Sequence, residues 1–185
     1  MTDPSALVSE ARRELGRFPA LLGAVVAGLD PESWRARPAP DEWAPVEIVC
    51  HLRDEEAEDF SARVRVVLAG GDRFVPIEPE RWAVERRYRE ADPDNALAAF
   101  RRLRTGSLAL LEEARIEGLT YSVATAGGFR LSGLDLVAAW VTHDRLHLRQ
   151  LAGTLARLWA DRWAPFRADY AGPIPYPAAA PRADP

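Results

Sequence analysis

Between residues 5 and 29 the apolar side chains Val8, Ala11, Leu15, Phe18, Leu22, Val25 and Leu29 recur in steps of three and four without a break. That spacing puts a single apolar stripe on an amphipathic helix. A long helix with one buried face must be covered by other elements, and this constrains the chain more than any other feature. Pro19 lies inside the stripe and predicts a kink or a local irregularity. The helix is expected to stop near Gly28, before Asp30-Pro31.

Three further segments read the same way. A second helix starts near Ala44-Pro45, where a proline in the first turn gives up no hydrogen bond, and runs to about Ala69, ended by Gly70-Gly71. A third opens at Asp92-Pro93, carries Leu97, Phe100, Leu103, Leu110, Leu111 and Ala114, and ends before Gly118. A fourth opens at Ser132, with Asp135 three residues on as an approximate capping box, and runs to about Trp159 or Arg162. Residues 30–43 read as a connection, 72–91 as irregular, and 118–131 as a loop or short hairpin around Gly127-Gly128. The expectation is an all-α protein: a four-helix bundle over residues 1–162, with a long crossover between helices two and three. Residues 163–185 form a Pro-rich C-terminal arm, expected to be extended with its last residues disordered. Its Trp163, Phe166, Tyr170, Ile174 and Tyr176 either pack across a dimer partner or cover the arm's own bundle.

Charge narrows the function classes. The net charge is −4, every basic side chain except the histidines is arginine, and the arginines are scattered among acidic residues. A sequence-independent nucleic-acid binder needs a basic face to displace counterions, and no such stripe is present. No apolar run reaches the length of a membrane span. The opening MTDPSALVSEARRELG is too acidic and interrupted for a secretory signal, and the single Cys50 cannot form an internal disulfide. The expectation is a cytoplasmic protein that binds neither nucleic acid nor membrane.

The chemistry lies in the histidines. His143 and His147, in the run HDRLH, are two of three in the chain. Four residues apart on a helix, their Cβ atoms lie roughly 5–6 Å from each other, and both rings can reach one ion. Their face also carries Leu136, Trp140, Gln150 and Leu151, so it looks inward. The third, His51, lies at the edge of the apolar arc of helix two, Glu55 is one turn on, and Glu56 and Asp59 fall within that arc. Carboxylates on a core-facing arc are costly unless paired or bound to a metal. A three-histidine metal site between helices two and four follows, with a position left open for water or substrate. The alternative is ordinary core histidines with hydrogen-bond partners. HDRLH is not the HExxH of zinc peptidases, since the shorter Asp144 stands where their glutamate would be. Cys50 points about 100° away from His51 and reads as a small packing residue.

The stretch DEWAPVEIVCHLRDEE, residues 41–56, resembles the second-helix signature of the DinB/YfiT-like proteins, and AAWVTHDRLHLRQL, residues 138–151, resembles their fourth-helix HxxxH. RWAVERRY and ALAAFRRLR, between Trp82 and Arg104, look like that family's linker and third helix. The resemblance covers roughly residues 5–160 and leaves 163–185 unmatched. It implies a four-helix bundle, commonly a homodimer, in which His51, His143 and His147 bind one divalent metal. Zinc or nickel are the foremost occupants, with iron, manganese or copper as others. It further implies thiol chemistry: transfer of a low-molecular-weight thiol, or thiol-dependent isomerisation. The family's association with stress response describes expression and not DNA binding.

Three functions are therefore expected to compete. A metal-dependent thiol S-transferase would lower the pKa of a bound thiol. A metal-dependent hydrolase would activate water at the same position. A non-catalytic metal or small-molecule binding protein would use the site structurally. Glu55, Asp59 and Asp144 are the candidates to orient imidazoles or move a proton, and for all three a solvated acidic edge is the other reading. Trp82, Tyr88 and Arg104 are candidates for the substrate entrance, or plain packing residues.

Overall fold

The computed structural model describes residues 3–125 and 127–174. Helix α1 spans Pro4–Val26, α2 Pro31–Arg35, α3 Pro45–Glu55, α4 Ser61–Leu68, α5 Pro79–Glu85, α6 Pro93–Glu113, α7 Ile116–Leu119 and α8 Gly133–Arg162. Strands β1, Ser122–Ala124, and β2, Arg130–Ser132, pair antiparallel with Ser122 opposite Ser132. Four long helical stretches make the bundle: α1, the α3–α4 pair, α6 and α8.

Local chemistry sets the ends. Asp3, Asp30, Asp92 and Ser132 cap α1, α2, α6 and α8 with side-chain oxygens that accept orphan backbone N–H groups. At Ser132 the box is complete, because Asp135 returns a carboxylate to the Ser132 N–H at 2.8 Å. Proline stands first in α1, α2, α3, α5 and α6, where its missing donor is not needed. Gly128 adopts a positive φ of 83° at the hairpin turn.

The structure refines the sequence expectations. Connections read as irregular hold short helices: α2 within 30–43, and α5 with a 3₁₀ turn at Tyr88–Glu90 within the crossover. On α1, Val25, expected on the apolar stripe, is exposed, and Val26 is buried in its place. The helix runs on through Pro19. A proline there removes the donor for the carbonyl of Leu15, four residues back. That carbonyl accepts instead from Arg104 Nη1 at 2.9 Å. Helix two is not uniform: between α3 and α4, Glu56–Phe60 forms a π turn, one residue wider than an α turn. Of the arm, Trp163 and Phe166 are exposed, and residues 175–185, with Tyr176, lie outside the described residues.

The core has two apolar halves. One gathers Phe18, Leu22, Ile48, Leu52, Tyr88, Phe100 and Leu151. The other gathers Val8, Leu15, Phe60, Val64, Leu111 and Trp140. Along every bundle helix the halves meet at one level: between Leu15 and Phe18, at Glu56, at Arg104 and at Asp144. There a charged layer crosses the bundle. Among the described residues no helix is long and apolar enough to cross a membrane.

Candidate metal centre

α3 carries His51 and Glu55 one turn apart, and α8 carries His143 and His147 likewise. Packing α3 against α8 brings the rings together, with centroids 4.5 Å apart for His51 and His147, 5.4 Å for His51 and His143, and 4.3 Å for His143 and His147. One nitrogen from each ring lies within 4.8 Å of the others. Trp43, just before α3, leans on His51 at 4.7 Å, and Phe60 on His143 at 4.9 Å. His51 is buried, whereas His143 keeps 19% of its side chain exposed and Gln150 is open to solvent, so the cluster is reached from the α8 side.

The nitrogens are prepared for a shared cation. His147 Nδ1 faces Gln150 Oε1 at 2.7 Å; an N–H on Nδ1 leaves the lone pair on Nε2. That Nε2 lies 3.0 Å from His51 Nε2. Two imidazole nitrogens at this range share either a proton or a cation. Metal–nitrogen bonds of 2.0–2.1 Å place two nitrogens about 2.9–3.4 Å apart for angles from square to tetrahedral, and the observed separation falls within that range. His51 Nδ1 is buried with no hydrogen-bond partner. Burial, reinforced by the neighbouring histidines, pushes both His51 and His147 down to about 3, so both rings are neutral at pH 7.

Carboxylates complete the surroundings. Glu55 Oε2 lies 2.8 Å from His143 Nε2, and its other oxygen lies 3.6 Å from His51 Nε2. Asp59 pairs with Arg63, and burial pushes its pKa up. Glu56 and Asp144 both bind Arg104. Four buried carboxylates therefore face two guanidiniums, a deficit of two guanidiniums beside the imidazole cluster. A divalent cation offsets that deficit, and in a low-dielectric interior the imbalance is otherwise costly. Donor type, spacing and charge all fit such an ion.

The structure brings together some of the residues picked from sequence and separates others. His51, His143, His147 and Glu55 form one cluster. Asp144 does not reach it as a free base: it is 3% exposed and forks onto Arg104 at 2.7 and 3.0 Å. Arg104 itself is 1% exposed, and Tyr88 is fully buried with its hydroxyl donated to Asp54 at 2.7 Å. Neither lines an entrance, because each fills a polar niche of the interior. Trp82 packs on the core with the Arg86 guanidinium 4.3 Å over its ring.

The DinB superfamily model matches residues 14–151, which contain the whole cluster. The chain belongs to the DinB superfamily. YfiT from Bacillus subtilis, described as a probable metal-dependent hydrolase with an unusual four-helix bundle topology, superposes with a TM-score of 0.76 at 18% identity, over 82% of this chain and 87% of that one. Mycothiol-dependent maleylpyruvate isomerase, like a point mutant of it, superposes with a TM-score of 0.63 at 14% identity. That match covers 82% of this chain and 63% of the isomerase. No curated protein sequence matches the chain.

Sequence reasoning missed two members of this DinB site. Gln150 was noted only as part of an inward face, yet its offset of three from His147 puts it within one helical turn. Trp43, within the stretch DEWAPVEIVCHLRDEE, walls His51. The closeness of each to a histidine was the available signal.

Proposed function

We propose that this DinB protein is a metal-dependent enzyme acting on a small-molecule thiol. His51, His143 and His147 would hold one divalent ion, zinc or nickel foremost. The observation that carries the reading is the three-ring cluster with Glu55 bridging His143 and His51. The ion, when bound, would lower the pKa of a thiol at an open position. Glu55 lies within hydrogen-bond reach of that region and would take the thiol proton, leaving the thiolate sulfur as nucleophile. Trp43 and Phe60 exclude water from the flanks of the histidines, and Gln150 fixes the His147 tautomer. The likeness to a mycothiol-dependent isomerase supports thiol chemistry. One observation also favours a second reading: the same Glu55 carboxylate is suited to taking a proton from water, as a hydrolase requires, and YfiT is described as that kind of enzyme.

The test begins with metal content, by mass spectrometry, of untagged protein beside the double variant His143→Ala, His147→Ala. About one equivalent in the parent and little in the variant supports the site. Cobalt-substituted protein is then titrated with millimolar thiol. A shift in the visible bands supports the transferase reading. Unchanged bands remove it, and turnover of esters, amides or phosphoesters without thiol would establish the hydrolase.

A further inference from the structure

Arg104 spends all five of its N–H groups inside the bundle. Nε and Nη2 donate to Glu56 at 2.9 and 2.8 Å, Nη1 and Nη2 to Asp144 at 2.7 and 3.0 Å, and Nη1 also to the Leu15 carbonyl at 2.9 Å. These partners lie on the π turn of helix two, on α8 and on α1, and Arg104 itself is on α6. One guanidinium therefore ties all four bundle helices at one level. Trp140 Nε1 adds a bond to Glu56 at 3.0 Å. Phe18, Phe100 and Trp140 surround the guanidinium, with ring centroids 4.9–5.8 Å from its carbon.

The bonded residues adjoin the histidine cluster in sequence. Glu56 follows Glu55, and Asp144 follows His143. The Glu55–His143 contact on the site side is thus backed, one residue over on each helix, by the Glu56–Arg104–Asp144 fork. A planar guanidinium fixes two carboxylates in distance and orientation, which a point charge on a flexible stem does not. We infer that Arg104 is a positioning residue: it sets the separation and rotation of α3 and α8, and so the spacing of His51 from His143 and His147. Pro19 belongs to the same device, because it frees the Leu15 carbonyl that holds Arg104 from the far side. The inference rests on reading the three histidines as a cation site.

The test compares Arg104→Lys, which keeps the charge and loses the fork, with Val64→Ala, which opens a cavity in one apolar half without touching the layer. Cobalt affinity is measured by chelator competition and ligand geometry from the visible bands. Arg104→Lys, folded by circular dichroism, is expected to bind cobalt about 10–100-fold more weakly with shifted bands, the size of effect seen for groups that orient ligands. Trp140→Phe, which removes the indole N–H from Glu56 and trims the ring beside Arg104 but keeps the Glu56–Arg104–Asp144 fork, is expected to move both readouts the same way by less. Val64→Ala is expected to leave both unchanged. Arg104→Lys with parental affinity and bands overturns the inference, as does an equal loss in Val64→Ala. Should Arg104→Lys not fold, Trp140→Phe and Asp144→Asn decide by the same criteria. If the parent takes up no cobalt, the cation site itself falls. The positioning role is then decided on metal-free protein by imidazole ¹⁵N–¹H spectra: histidine resonances displaced in Arg104→Lys and not in Val64→Ala support it, and undisplaced resonances overturn it.

Discussion

Glu55 and Glu56 are neighbours in the chain whose buried carboxylates take different partners: Glu55 meets His143 Nε2 at 2.8 Å, and Glu56 is gripped by Arg104 at 2.8 and 2.9 Å. The first is the proton acceptor of the proposed site and the second belongs to the interior.

Replacing Glu55 by glutamine keeps shape and removes basicity. Turnover is expected to fall about 10²–10⁴-fold, the range for a positioned general base, with metal content retained. Steady-state kinetics with parallel mass spectrometry checks this. A variant that loses the metal instead would make Glu55 a ligand.

Tyr88→Phe is expected to cost about 1–2 kcal/mol of stability, because a buried hydroxyl leaves Asp54. Burial pushes Asp54 up, but hydrogen bonds from Arg53, Tyr88 and Arg86 together bring it below its ordinary value. Urea denaturation measures the loss. Cobalt affinity and KM should not change, since Tyr88 is enclosed.

The metal-free protein is expected to weaken in acid. His51 and His147 are held at about 3 when folded and return to about 6.5 when unfolded. Below pH 6.5 the unfolded chain therefore binds protons that the folded chain refuses. Stability should fall progressively from about pH 6.5 toward 3, by up to about 1.4 kcal/mol per pH unit for each imidazole. Thermal melts across that range test it, and a curve flat from pH 7 to 4 would contradict the burial of these rings.

Cys50 should be silent toward thiol reagents in the folded protein at pH 8. Burial pushes its thiol from 9.0 up to about 11, and it is fully enclosed. Labelling is expected only on unfolding, so its rate reports opening. The same shift predicts stability falling as pH rises from about 9 toward 11, because the unfolded thiol ionises first. Rapid native labelling would show that α3 opens locally.

The bundle was legible because its apolar spacing and caps act within single helices, as Val8 to Leu22 and Ser132-Asp135 show. The three histidines were legible by elimination, being the whole supply. The carboxylates and Arg104 were not. An acidic arc on helix two states that charges face inward, but not which partner each one finds. Arg104, Leu15, Glu56 and Asp144 come from four separate helices, and no periodicity links them. Tyr88 was misplaced for a related reason: a Pro- and Arg-rich crossover reads as surface, while its one buried ring is decided by Asp54 on another element.

The π turn at Glu56–Phe60 gives helix two a phase slip. Upstream of it the residues keep time with the histidines of α8; downstream, Val64 and Val67 keep time with the apolar half near the hairpin. Loss of one residue between positions 55 and 61 would rotate one segment against the other by about 100°, so that either the ligands or the packing would fall out of step. This helix is in effect two rulers joined at an offset, and grafting the site onto another bundle would require carrying the joint along with the histidines.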